Sequence, residues 1–169
     1  MTFPGVIDIN WTLLAPAIAL LVTAAVTLFF ALFSRDSRGA AAVALIGILT
    51  SMVFALVQLM EGDQTASSFG LRYLGDVPAL TLTLVILLGT AVAVLVSWDQ
   101  LGRGQMAQPE YYPLMLLSAF GAVIMASAGD LITLILGLEI MSLPVYALSA
   151  WRTGDRQSEE AGIKYFLLG

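Results

Sequence analysis

Glu139 lies inside Leu131–Trp151, a run with no other charge and few polar residues. A helix of about 20 such residues crosses a bilayer. A carboxylate at its centre costs roughly 2.5–3.5 kcal/mol on insertion scales, and groups held there face a cavity or a partner charge. Proton transfer is therefore the chemistry to consider. Helical spacing puts Ser142, Tyr146 and Ser149 on one stripe with Glu139, at offsets of three, four and three. Pro144 removes the N–H that would bond the carbonyl of Ile140. A carbonyl freed inside a membrane needs water or a side chain as partner. A hydrated polar stripe around a titratable group suits a proton path. The competing reading is a protonated Glu139 that glues two helices together.

Lys164 is the nearest candidate cation in sequence. Glu139 is about 18 Å along its helix from Trp151, at 1.5 Å per residue. Lys164 is only about 9 Å into the next helix if that helix starts near Ser158. The two charges fit two water-linked stations better than one salt bridge. The simpler alternative for Lys164 is an i,i+4 pair with Glu160, its head reaching toward the interface. Asp130, just before this segment, fits an N-cap, and Asp76 is similar. Ser118, Ala122 and Ala126 recur at four-residue intervals, a stripe suited to close helix packing.

The elements that must carry these residues are membrane helices. The chain has 169 residues, 59% hydrophobic and 11% charged, with a mean hydropathy of +0.93. Soluble domains carry about 25% charged residues. The expected fold is all-α, a polytopic transmembrane bundle in one membrane domain. Complete spans are expected near 11–33, 40–60, 77–98, 111–128 and 131–151, with an incomplete one over 158–169. That sixth segment, SEEAGIKYFLLG, is too short to cross, so the chain is expected to be the N-terminal part of a longer polypeptide. Between spans two and three, Gln64–Leu74 alternates Phe69, Leu71 and Tyr73 with polar or small residues, a pattern that suits a short hairpin or a plain loop.

Arg35, Arg38, Arg103, Arg152, Arg156 and Lys164 follow odd-numbered spans, and only Arg72 falls in an even-numbered loop. Positive residues favour the cytoplasmic side, so the N-terminus is expected to face outward. Trp98, Tyr111, Tyr112 and Trp151 then fall at the cytoplasmic interface and Trp11 at the outer one. The chain has neither Cys nor His. It therefore carries no cysteine-ligated iron–sulfur cluster and no His-ligated haem. LGRGQ at 101–105 follows a span, not a strand, and is no nucleotide loop. Nothing resembles a basic nucleic-acid patch.

GLEIMSLPVYALSAW, a short polar loop and SEEAGIKYFLLG together closely resemble the antiporter-like membrane subunits of the proton-translocating NADH–quinone oxidoreductase, respiratory complex I. Within that family the resemblance is to subunit N, and it is strongest over Asp130–Gly169. It implies a bacterial inner-membrane protein of about fourteen helices with no cofactor of its own. NADH, FMN, iron–sulfur clusters and quinone are then expected in partner subunits. The expected partners are the other membrane subunits, the lipid bilayer and protons, and no nucleic acid. The resemblance further implies that Glu139 modulates a lysine of the seventh helix and that Lys164 stands along the proton route. The chain stops before that seventh-helix lysine and before the second of the inverted five-helix repeats that the resemblance implies. Two other readings stay open: a subunit of a multisubunit cation/proton antiporter, and a non-conducting membrane scaffold.

Overall fold

The structure, a computed structural model, describes residues 9–34, 36–62, 67–101, 108–152 and 154–169. Arg35, Arg103 and the Gln64–Ala66 end of the expected hairpin lie outside the described residues. Among the described residues, six helices and one small hairpin follow in order: α1 Trp11–Phe33, α2 Ser37–Glu61, β1 Ser67–Ser68, β2 Tyr73–Leu74, α3 Val77–Leu101, α4 Tyr111–Ala126, α5 Leu131–Ser149 and α6 Arg156–Leu168.

Side-chain caps define most of the helix starts. Asn10 accepts from the Leu13 N–H at 3.2 Å and Asp76 from the Ala79 N–H at 3.0 Å. Asp36 opens α2, accepting from the Arg38 N–H at 3.0 Å, so this helix begins at Ser37. Each bond satisfies one of the donors that a helix start leaves free. Gly62 ends α2 at φ 70°, a left-handed cap that glycine adopts without steric cost.

Among the described residues, four helices, α1, α2, α3 and α5, are long and apolar enough to cross a membrane. The fourth in order, α4, is apolar but has only 16 residues. It ends at Ala126 because residues 127–130 turn to meet the hairpin. Helices α1 to α4 pack together around Leu20, Ile48, Leu87, Leu116 and Val123, all fully buried. Tyr112 also turns into this core and is fully buried, whereas Tyr111 stands edge-on to Trp151 at 5.5 Å. Outward faces of α1 to α3 are mostly apolar, as lipid or neighbouring helices require.

Pro16 lies inside α1 and cannot donate to the carbonyl of Thr12. Gln58 of α2 supplies the missing donor through Nε2, while the Ser51 hydroxyl donates to the Pro16 carbonyl at 2.8 Å. The kink is thus closed by its neighbour, as a proline in a membrane helix requires. Gln58→Leu is expected to lower the thermal unfolding midpoint of the detergent-solubilised protein. The bond is exposed at the N-terminal end of α1, so its loss costs about 0.5–1.5 kcal/mol, the net worth of one hydrogen bond. An unchanged midpoint would show that Pro16 needs no such partner.

Candidate functional site

Helix α5 starts on Asp130, whose Oδ1 accepts from the Thr133 N–H at 2.7 Å. One face of the helix lies against α4 at backbone distance. A Cβ on Gly137 would meet the Met125 nitrogen at 2.7 Å and the Gly121 oxygen at 3.0 Å. A Cβ on Gly121 would overlap the Met141 nitrogen. Gly137 and Pro144 are the buried residues of α5, and both face this contact. Glu139 is two residues past Gly137, about 200° around the helix at 100° per residue. It therefore points away from α4.

On that far face Glu139 is exposed and, among the described residues, makes no hydrogen bond or ion pair. Only 11% of α5 is buried within the chain, against 28–39% for the other three long apolar helices. Of these four helices, the one that carries the carboxylate is thus the least covered by its own chain. Leu131, Ile132, Ile135, Leu136, Leu138 and Leu143 share this uncovered state.

The hydroxyls of the expected stripe are engaged locally. Ser142 Oγ donates to the Leu138 carbonyl and Ser149 Oγ to the Tyr146 carbonyl, each at 2.7 Å. The hydroxyl protons are spent on the helix, while their oxygens keep acceptor capacity. Tyr146 turns toward α6, edge-on to Tyr165 at 4.9 Å and to Phe166 at 5.7 Å. Below Pro144, α5 and α6 meet where Gly162 passes Ala150 and the Ser158 hydroxyl donates to the Ser149 carbonyl at 3.1 Å. No side chain among the described residues donates to the Ile140 carbonyl that Pro144 leaves free. That contrasts with Pro16, whose kink Gln58 closes.

Lys164 does not meet Glu139. Its Nζ lies 2.6 Å from Glu160 Oε1 one turn back, both side chains being exposed. The site residues therefore do not form one cluster: Glu139 stands on the open face, Pro144 is buried on the face toward α4, and Tyr146 and Ser149 meet α6. The glycines escaped the sequence reading. The small-residue stripe Ser118, Ala122, Ala126 lies one position from the closest approach, which falls on Gly121, and the signal for it is a glycine in a membrane helix.

At the N-cap of α5, just before the helix, the Thr133 backbone and hydroxyl groups hold the Asp130 carboxyl below the usual carboxylate range, and Arg72 adds to this. A lowered folded-state pKa contributes stability above the ordinary carboxylate pKa and loses it as pH falls through the folded value. Unfolding midpoints measured against pH should fall on the acid side, and Asp130→Asn should flatten that fall. An identical slope in the variant would remove Asp130 from the acid response.

Long apolar helices packed at backbone distance, with a carboxylate on the face of one of them, define a polytopic helical membrane protein. Residues 128–169 match the family described as NADH:quinone oxidoreductase/Mrp antiporter, TM. The chain is 33% identical over 163 residues to the NADH-quinone oxidoreductase subunit N of Magnetococcus marinus, covering 96% of this chain and 34% of that protein. With the subunit N of Desulfovibrio desulfuricans it shares 41% over 164 residues, covering 92% of this chain and 31% of the other. Among solved structures, respiratory complex I from Thermus thermophilus with bound aureothin contains a chain that superposes with a TM-score of 0.72 at 29% identity. That match covers 90% of this chain and 32% of the other. The chain is thus similar over nearly all of its length to curated NADH-quinone oxidoreductase subunits N, and it spans about a third of the length of those relatives.

Proposed function

We propose that the chain is the N-terminal part of a membrane-arm subunit of a bacterial NADH–quinone oxidoreductase and takes part in proton translocation coupled to quinone reduction. The observation that carries this is the similarity, over nearly all of its length, to relatives named subunit N. It is joined by the carboxylate on the open face of α5, which has no partner among the described residues. Glu139 acts as a titratable charge whose state sets the proton affinity of a lysine beyond Gly169. Lys164, Ser142, Tyr146 and Ser149 line the route, and the Pro144 break leaves a carbonyl for water beside it. The remainder of such a subunit would cover the uncovered face of α5.

In this reading the chain is a non-redox component of a translocase. NADH, FMN, iron–sulfur clusters and quinone are bound by partner subunits, in keeping with a sequence that has no Cys or His. The chain makes five crossings and begins a sixth, with the N-terminus on the periplasmic side of the inner membrane. The distribution of Lys and Arg supports that orientation. The family description also names the Mrp antiporter, but the names of the relatives favour the redox-driven complex. The deciding experiment is NADH-driven proton uptake into inverted vesicles carrying the complete protein with Glu139→Gln. Normal uptake with normal quinone reduction would overturn the proposal.

A further inference from the structure

The turn between α4 and α5 is gripped by the hairpin, and the function proposed above makes no use of that grip. Leu74 N–H donates to the Ser127 carbonyl and Gly129 N–H to the Arg72 carbonyl, each at 2.8 Å. Tyr73 bridges Ala128 in antiparallel fashion. Gly129 passes the Leu71 carbonyl where a Cβ has no room. Arg72 Nε then lies 3.5 Å from Asp130 Oδ2. The same carboxylate caps α5 with one oxygen and holds the hairpin's guanidinium with the other.

The hairpin is itself anchored. Asn10 N–H, at the start of α1, donates to Ser68 Oγ at 3.1 Å. Tyr73 is buried with Leu13 and Leu14. Its tip holds Phe69 at φ 55° and Leu71 at φ 72° on either side of Gly70. Two bulky residues in the left-handed region persist only where the surroundings over-determine them. A plain connecting loop does not require this backbone.

We propose that Arg72 and Asp130 are positioning residues: the hairpin and the α5 cap form a clamp that fixes the rotation and depth of α5, and through it the placement of Glu139. This rests on the reading of Glu139 as a working charge. Asp130 and Glu139 are separated by about 13 Å of helix at 1.5 Å per residue, with no proline between them. The only proline of α5 comes later, at Pro144. Gly137 holds the same stretch against the α4 backbone, so displacement at the cap turns or lifts the carboxylate directly.

The test uses the complete subunit in its complex, in inverted native-membrane vesicles, with proton uptake normalised to the amount of assembled complex. Arg72→Gln removes the hairpin's charge. Asp130→Asn removes the partner charge and keeps an oxygen for the Thr133 N–H, so it should assemble even where the arginine variant does not. Each is expected to lower uptake per assembled complex several-fold, with no further loss in the double variant. Arg72→Lys should recover most of it. A packing role alone would reduce assembled complex and leave uptake per complex unchanged. That result, or additive losses in the double variant, would overturn the clamp. Glu139→Gln measured alongside separates the two ideas. If it alone lowers uptake, the clamp fails and the carboxylate's role stands. If it leaves uptake unchanged, the role of Glu139 fails and the clamp falls with it.

Discussion

Gly121→Leu is expected to prevent accumulation of the folded protein in the membrane. The atoms that a Cβ would meet there are all backbone: the Met141 nitrogen, the Met141 Cα at 2.7 Å and the Gly137 oxygen at 2.8 Å. None can rotate aside, so relief requires α4 and α5 to separate along their contact. Overpacking of ordinary cores costs about 1–3 kcal/mol, and that figure assumes side chains able to move. Here the cost should exceed it, a large share of the roughly 5–15 kcal/mol by which a domain is stable. Without lipid-driven attraction between helices, close packing is also the main force holding this pair. Gly121→Ala introduces the same first atom and should be intermediate. Gly89→Leu is the control, because nothing lies within 4 Å of a Cβ at that position of α3. Immunoblots of washed membranes and elution profiles in mild detergent report the outcome. Wild-type amounts of a monodisperse Gly121→Leu protein would mean that the α4–α5 contact is looser than these distances.

That contact also shows what a sequence of this kind reveals and what it hides. Asp130 and Asp76 were legible as caps because the signal is local: an acceptor just before an apolar run, with the free N–H groups three residues on. The long apolar runs were legible because a bilayer demands uninterrupted hydrophobic length. Which residue of α4 meets which residue of α5 depends on the rotation of two helices, and neither sequence encodes that separately. A small-residue stripe can be seen one position away from the true line of contact, as Ala122 stands beside Gly121. The pairing of Gln58 with the proline-freed Thr12 carbonyl spans 46 residues and has no local signature. The Arg72–Asp130 pair is hidden for the same reason. Glu139 is the reverse case: its oddity is fully visible in the sequence, while its partner is not among the described residues.

Glu139→Gln is expected to lower proton uptake per assembled complex by on the order of tenfold or more, a conservative share of what positioned proton-transfer groups contribute. Glutamine matches the carboxyl in size and still hydrogen-bonds, so a residue that merely glues helices tolerates the change. It cannot ionise, so a residue that works by its charge does not. Glu139 is exposed on α5 and makes no bond within the described residues, so the substitution leaves the packing of α1 to α6 intact. Its loss of function would then be electrostatic in origin. Glu139→Asp keeps the charge and withdraws it by one methylene, and should retain a part of the uptake that glutamine loses. Quinone reduction must be followed together with uptake, because a tightly coupled machine slows both whereas an uncoupled one loses only the proton step. Either pattern assigns a working charge to Glu139. Uptake and turnover both at wild-type level in a fully assembled Glu139→Gln complex would instead make the carboxylate a packing group, held neutral in the membrane by neighbours from the rest of the subunit.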